Sequence, residues 1–586
     1  MLKKFFSNVL SSFVGAWLAL VVFSVAAFFM GFAVLASFDT VGGESETLMP
    51  KSILHLNLAG TFEERANDDD MWAELLEKEG EKTSTLDKTL KALELAKNND
   101  NIEGVFVDCK ICNAGTATLY ELREALADFK NSGKFVVAYG HEGITQGDYY
   151  IASVADSIFL NPVGSVDIHG LTVSIPFFKN LLDKVGVEMQ IVRVGTFKSA
   201  VEPYIATEAS EANVMATSAY LNSIWGNMSE SMAESRGMTV EKFNAIADEF
   251  LITQPVEYLL ENNIVDALAY RFEVLDKLKE MVSADELRLV SPEQVAASEV
   301  PSLAVSKIAV IYAVGQIDGS AEDGVVSSVL VKDIMNVVED ESVAGVVLRV
   351  NSPGGSAFGS EQIWAALEEV KKAGKPFAVS MGDLAASGGY YISCGADKIF
   401  AEPTTITGSI GIFGTIPCIK ELLNDKVGVN ITTITTNNPN NTISLTEPMT
   451  PIQQAAMQRM VNQGYELFTS RCANGRGMDI DSLKMIAEGR VWDGITAKKL
   501  GLVDEFGNLQ DAIDWVVEEG KVAEYSIVTY PKQKTMLERY MSTYMGMKVS
   551  DVIANKAGEV YKYHKELHNI LSRDHLQCLM EPVEIK

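Results

Sequence analysis

This chain carries one stretch of sequence twice. "GVFVDCKICNAG" begins at Gly104 and "GVVLRVNSPGGS" at Gly345; "GDYYIASVADSIFLNP" begins at Gly147 and "GGYYISCGADKIFAEP" at Gly388. Both pairs lie 241 residues apart (345 − 104 and 388 − 147), and "KVGV" recurs at Lys184 and Lys426, 242 apart. "SILHLNLAG" at Ser52 and "KIAVIYAVG" at Lys307 echo each other as short β-type runs. A spacing held over several landmarks means duplication of a whole domain, since a solenoid would repeat every ~20–50 residues. Within the second copy, "GVVLRV" (345–350) is followed by the amphipathic "SEQIWAALEEVKKAG" (360–374) and then "PFAVSM" (376–381). Strand–helix–strand alternation of this kind predicts an α/β fold, a parallel sheet covered by helices.

The repeat divides the chain. The copies are expected at residues 51–282 and 305–535, joined by a linker at 283–304 rich in Ser, Pro, Ala and Glu. The Met-rich tail, 536–586, reads as helical and has no assigned role. His564 and His568 stand one helical turn apart in it, with His575 beyond. A His pair on an exposed helix is ordinary surface, so no metal or cofactor is expected. A net charge of −30 repels nucleic acid and leaves no basic patch for anionic lipid. The six cysteines are scattered and form no disulfide framework. Cys109 and Cys112 lack the second pair that a zinc site needs, and read as small residues ending a buried strand.

The N-terminus predicts a membrane span. Lys3 and Lys4 lie in a short cytoplasmic segment, 1–12, ahead of an apolar stretch at 13–38. At ~1.5 Å per residue, about 20 residues cross a ~30 Å hydrocarbon core, whereas a signal-peptide apolar region runs to only about 7–15. The stretch reads as an uncleaved signal anchor; cleavage after Ala36, where "VLA" resembles a processing site, is the competing reading. A linker follows at 39–50. Lysines before the span place the N-terminus in the cytoplasm and the bulk of the chain outside it.

The two copies have diverged in a complementary way. The second has "NSPGGSAFGS" (351–360) and "GDLAASGGYYIS" (382–393), each starting where an apolar strand ends. A Pro-Gly-Gly loop leaves backbone N–H groups free to bind an oxyanion. "AASGG" sets Ser387 among small residues before a helical segment, where a substrate backbone can approach. The first copy has Asn113-Ala114 in place of Gly354-Gly355, and Gln146 in place of Ser387. It has instead Lys198, in "GTFKSAVEPY", and the matching stretch of the second copy, "TTNNPNNTISLTEP", has no lysine. A serine nucleophile needs a base near neutral pH. No histidine lies between residues 170 and 563, and the first copy offers only His55, His141 and His169. A lysine serves if burial disfavours its charged form, and an interface between two domains could supply that burial.

At these residues the chain resembles the long tandem form of signal peptide peptidase A, from the anchor to about residue 530. The motifs that carry the resemblance are "NSPGG", "MGDLAASGGYYIS", "TGSIGIFG" (407–414) and "FKSAVEP" (197–203). The resemblance implies Ser387 as nucleophile, Lys198 as base, and Ser409 as the group that orients the lysine. It implies the N–H groups of Gly388 and Gly355 as oxyanion donors. The implied fold is two tandem domains like Clp protease and crotonase, after a transmembrane helix. The implied substrate is the signal peptide left in the membrane, and the implied assembly a homo-oligomer, a tetramer for the tandem form. The implied location is the inner membrane, with the bulk in the periplasm. The chain departs from the family's pattern at Leu384, where a small or polar residue is more usual, and in the tail after 535.

Two other readings compete. A crotonase-type acyl-CoA enzyme would share the fold and the glycine loop, but it would need a CoA-binding face and a catalytic carboxylate. A silent envelope scaffold would explain the degenerate first copy, but not the motifs kept in the second. Labelling of Ser387 by a fluorophosphonate separates a peptidase from both.

Overall fold

A computed structural model describes residues 48–65, 85–299, 302, 304–319, 324–438, 441–532 and 576–580. The apolar stretch at 13–38 and the three tail histidines lie outside these residues. Among the described residues no helix is long and apolar enough to cross a membrane.

Alternation along the strands builds the layers. In the second copy, Ala309, Ile311, Val346, Leu348 and Val350 face one buried cluster. Ile308, Val310, Tyr312 and Val347 face another on the opposite side of the sheet. Neighbouring residues of a strand point to opposite faces, so a sheet apolar on both must be covered on both. Leu54 and Leu56 against Ile53 divide the first copy's clusters in the same way. Each aliphatic side chain so buried contributes about 1.5–3 kcal/mol.

The duplication is plain in the strand order. The first sheet runs Ala267–Leu268, Ser157–Leu160, Phe135–Gly140, Ile102–Asn113, Ser52–Thr61, Arg288–Val290, with every pairing parallel. The second runs Glu505–Phe506, Lys398–Ala401, Phe377–Ala386, Val343–Ser352, Lys307–Val314, Ser526–Tyr530 in the same order, also parallel. The copies differ in the strand that leads to Ser387: Phe377–Ala386 is unbroken and pairs through Leu384–Ala386 with Ile406–Gly408, which in turn pairs with Val491–Asp493, whereas in the first copy Gly143–Ile144, paired with Ser165–Val166, is separate from Phe135–Gly140.

Two sequence expectations need correction. Residues 283–304 are more than a linker, because Arg288–Val290 closes the edge of the first sheet and Pro292–Ala297 is a helix packed on Leu86–Asn98. The Ser-Pro composition marks a helix start: Ser291 caps Gln294, and Pro292 follows where its missing N–H costs nothing. The tail read as helical contributes a strand, Leu576–Leu579. Its backbone groups are met by two strand edges, which supplies to an extended segment the partners a helix would supply internally.

Those edges belong to a third, antiparallel sheet, ordered Gly354–Ser356, Leu576–Leu579, Phe413–Cys418, Glu188–Arg193. Its last two strands come from different copies, so this sheet stitches them together. A buried polar network does the same. The Arg349 guanidinium reaches Glu64 at 2.9 Å and Glu121 at 2.7 Å, both in the first copy. Asp383 accepts the N–H groups of Ala117 and Thr118, at 2.9 Å each, at the start of the helix Thr116–Lys130.

Candidate active site

Ser387 sits at the corner between Phe377–Ala386 and the helix Gly388–Ser393, with φ 56° and ψ −111°. A non-glycine residue held there stores about 1–3 kcal/mol of strain. The corner is fixed by two hydrogen bonds: Ser387 N–H donates to Gly408 O, and Tyr391 N–H donates to Ser387 O, both at 2.8 Å. The glycines after it are a steric requirement. A Cβ on Gly388 would lie 2.7 Å from Ser360 Oγ, and one on Gly389 2.6 Å from Ser352 O. Gly354 approaches as closely, its would-be Cβ 2.5 Å from Gly388 N.

Lys198 reaches the same place from the other copy. The strand Glu188–Arg193 pairs antiparallel with Phe413–Cys418, and Val194 N–H continues to Ile412 O at 3.1 Å. The chain turns at Gly195, with φ +105°, where a Cβ would come within 2.3 Å of Glu488 O. Phe197 N–H then donates to Glu488 O at 3.0 Å, and Arg193 Nη1 donates to Lys198 O at 3.2 Å. Beyond the lysine, the buried Glu202 carboxylate accepts Ser210 N–H at 3.1 Å and Asn213 Nδ2 at 3.1 Å. The lysine stem passes between two glycines. A Cβ on Gly489 would meet Lys198 Cβ at 2.7 Å, and one on Gly411 would meet Cδ at 3.3 Å.

The ends of these elements converge. Lys198 Nζ lies 2.7 Å from Ser387 Oγ. It donates to the Ser409 carbonyl and to Ser409 Oγ, each at 3.0 Å. Ser409 is itself held at φ 53° by its N–H to Arg490 O at 2.7 Å. Lys198 is 1 % exposed, Ser387 0 % and Ser409 2 %. Burial pulls the Lys198 pKa from the ordinary lysine range down to about 7. A neutral amine has two N–H donors and one lone pair. With both donors spent on Ser409, the lone pair is left for the Ser387 hydroxyl. All three side chains belong to one chain.

The glycine loop faces the same point. Gly355 is paired opposite Cys578. Hydrogen-bonded pairs in an antiparallel ladder recur at every second residue. Met580 N–H donates to Pro353 O at 2.8 Å, which makes Gly355 and Cys578 the next such pair and turns the Gly355 N–H toward the Cys578 carbonyl. A Cβ on Gly388 would lie 3.0 Å from that same oxygen.

The corresponding place in the first copy is filled. Gln146 Oε1 accepts His169 N–H at 3.0 Å and Gly170 N–H at 2.9 Å. Asp148 takes the loop amides of Ile111 and Cys112 at 3.1 and 3.0 Å. Among the described residues no group of His, Cys, Asp and Glu is arranged to hold a metal ion. Cys109 and Cys112 are buried free thiols at the end of Ile102–Asn113. Sequence reasoning missed Gly411, Gly489, Arg490 and Cys578, none of which lies near Lys198 along the chain. The only sequence signal was that Gly411 falls within "TGSIGIFG".

Two stretches, residues 128–285 and 369–523, match peptidase family S49, one in each copy. Protease 4 of Salmonella typhi is 36 % identical over 470 residues, 78 % of this chain and 75 % of that one. Protease 4 of Haemophilus influenzae is 35 % identical over 515 residues, covering 83 % and 82 %. The chloroplastic serine protease SPPA of Arabidopsis thaliana is 29 % identical over 433 residues, covering 71 % and 63 %. With a serine at a strained strand–helix corner and relatives that span most of its length, this chain belongs to peptidase family S49 and is a serine peptidase.

Proposed function

We propose that the chain is a membrane-anchored endopeptidase working through a Ser–Lys dyad that the two copies assemble together. The observation that carries this reading is the 2.7 Å approach of a buried Lys198 Nζ to Ser387 Oγ. Neutral Lys198 takes the Ser387 proton as Oγ attacks a peptide carbonyl. The developing oxyanion is received by the N–H groups of Gly388 and Gly355. The ammonium then gives its proton to the leaving amine, and water hydrolyses the acyl-serine by the same route. Ser409 is a positioning residue that points the lysine. Ser387→Ala should abolish peptide hydrolysis with the fold intact, since one small side chain replaces another. Hydrolysis at a near wild-type rate in that variant would remove Ser387 from the mechanism.

The shared strand order and the serine at a strand–helix corner support a Clp protease/crotonase-like fold for each copy, at 51–282 and 305–535. The apolar stretch at 13–38 supports an anchor in the inner membrane, with residues 1–12 cytoplasmic and both copies in the periplasm. A site held at the bilayer in this way suits signal peptides left in the membrane, and the chain would work there as a homo-oligomer, a tetramer. Protease added to spheroplasts should then reach a tag on the second copy; a protected tag would reverse the orientation.

A further inference from the structure

Residues 487–490 link the helix Ile480–Ile486 to the strand Val491–Asp493, and they touch both the segment of Lys198 and that of Ser409. On one side they hold the second copy: Gly489 N–H donates to Ile410 O at 2.8 Å, and Arg490 O accepts Ser409 N–H at 2.7 Å. On the other they hold the first copy: Glu488 O accepts the N–H of Phe197, the residue before Lys198, at 3.0 Å. The Arg490 side chain makes the same crossing. Its guanidinium lies 5.0 Å from the centre of the Phe197 ring and 4.2 Å from that of Trp492. Phe197 belongs to the first copy. Trp492 belongs to the second, where it pairs opposite Thr407 and donates Nε1 to Ile486 O at 3.0 Å.

No carboxylate shares this place. Among the described residues none forms an ion pair with Arg490; burial alone moves its pKa, downward, and its Nε is buried without a hydrogen-bond partner. A guanidinium withdrawn from water ordinarily takes an acid, and here two ring faces stand in for one. The neighbouring base explains the difference. A carboxylate beside Lys198 would favour its ammonium form, whereas ring faces hold a cation without adding a negative charge. A planar guanidinium covers both rings, which a lysine ammonium does not. We propose that Arg490 is a positioning residue of the peptidase site: wedged between Phe197 and Trp492, it fixes the first copy's Lys198 against the second copy's Ser409. This inference rests on the Ser387–Lys198 reading. Arg490 is not among the hydrogen-bond partners of Lys198 Nζ. It acts through the segment that carries the lysine and through the carbonyl that holds Ser409 at φ 53°.

The test uses the full chain. Wild type, Arg490→Lys, Phe197→Leu, the double variant and Lys198→Ala are compared by kcat and KM on an added peptide and by the pH dependence of fluorophosphonate labelling of Ser387. Circular dichroism checks that each is folded. Arg490→Lys keeps the charge and loses the planar face. It should lose about tenfold in kcat, with KM within about twofold, because the lysine is misplaced and substrate binding is not. Its labelling should rise through an inflection above the wild-type value of about 7, since a lysine less firmly held is less dehydrated. Phe197→Leu should do the same. The double variant should lose no more than the worse single one, because both changes remove one bridge. If Arg490→Lys does not fold, Phe197→Leu, on the other side of the same contact, decides alone. Wild-type kcat and inflection in the single variants overturn the inference. So does a loss in kcat that leaves the inflection in place, which makes Arg490 structural support only, and so do losses that multiply in the double variant. If Lys198→Ala labels as fast as wild type, the dyad reading falls and takes this one with it. If Lys198→Ala is slow while the Arg490 and Phe197 variants match wild type, the dyad stands without this bridge.

Discussion

Lys198 works as a base only if it is neutral at the pH where the enzyme acts, and its surroundings are arranged to keep it so. No carboxylate approaches its Nζ within hydrogen-bond reach among the described residues; its polar neighbours are the hydroxyls of Ser387 and Ser409 and one carbonyl. Desolvation therefore dominates and brings its pKa to about 7. Ser409→Ala removes one of the two acceptors that aim the amine. The loss should be about tenfold in kcat/KM, equivalent to about 1.4 kcal/mol, the scale of one net hydrogen bond. KM should change little, since Ser409 acts through the lysine. A steady-state pH profile of the variant checks this, and an unchanged kcat would remove Ser409 as a positioning group. Ser387 and Lys198 were legible as a pair because each is missing from the other copy. Cys578 was not, because nothing in "LQCLM" distinguishes it from any apolar run.

The strand Glu188–Arg193 and the turn that follows it convert a contact between copies into a placed side chain. Gly195 and Gly489 are both held at positive φ where the backbones cross. Gly489→Ala would strain a φ of +78° and press a methyl against Lys198 Cβ at 2.7 Å. A displacement of about 1 Å at a reacting group costs on the order of 10²-fold. The expected outcome is a loss of that size in kcat with folding retained, measured by peptide hydrolysis beside circular dichroism; wild-type turnover would mean that the stem does not need this contact. The two parallel sheets were legible, because short apolar runs alternate with an amphipathic helical segment and the repeat shows that order twice. The sheet between copies was not, since an apolar run marks a strand as buried and does not name its partner. Arg288–Val290 was hidden for a related reason: three residues are too few to display a period.

At the scale of the whole molecule, the proposed site draws one side chain from each copy, Lys198 and Ser387 meeting at 2.7 Å. The first copy gave up its serine corner to Gln146 and its loop amides to Asp148. It kept the lysine and the strand that carries it across. The buried Arg349–Glu64–Glu121 network and the Asp383 cap hold the two bodies in the register that the dyad needs. On the proposed reading the second copy alone would hold a nucleophile with no base, and the lysine of the first copy would activate it. The direct measurement is the rate at which a fluorophosphonate labels Ser387 as a function of pH, in the full chain and in Lys198→Ala. In the wild type the rate should climb as pH rises through about 7 and then level off, as neutral amine becomes available. In Lys198→Ala it should be lower by about 10²–10⁴-fold, without that inflection. Labelling of Lys198→Ala at the wild-type rate, with the same inflection, would contradict the composite Ser–Lys site.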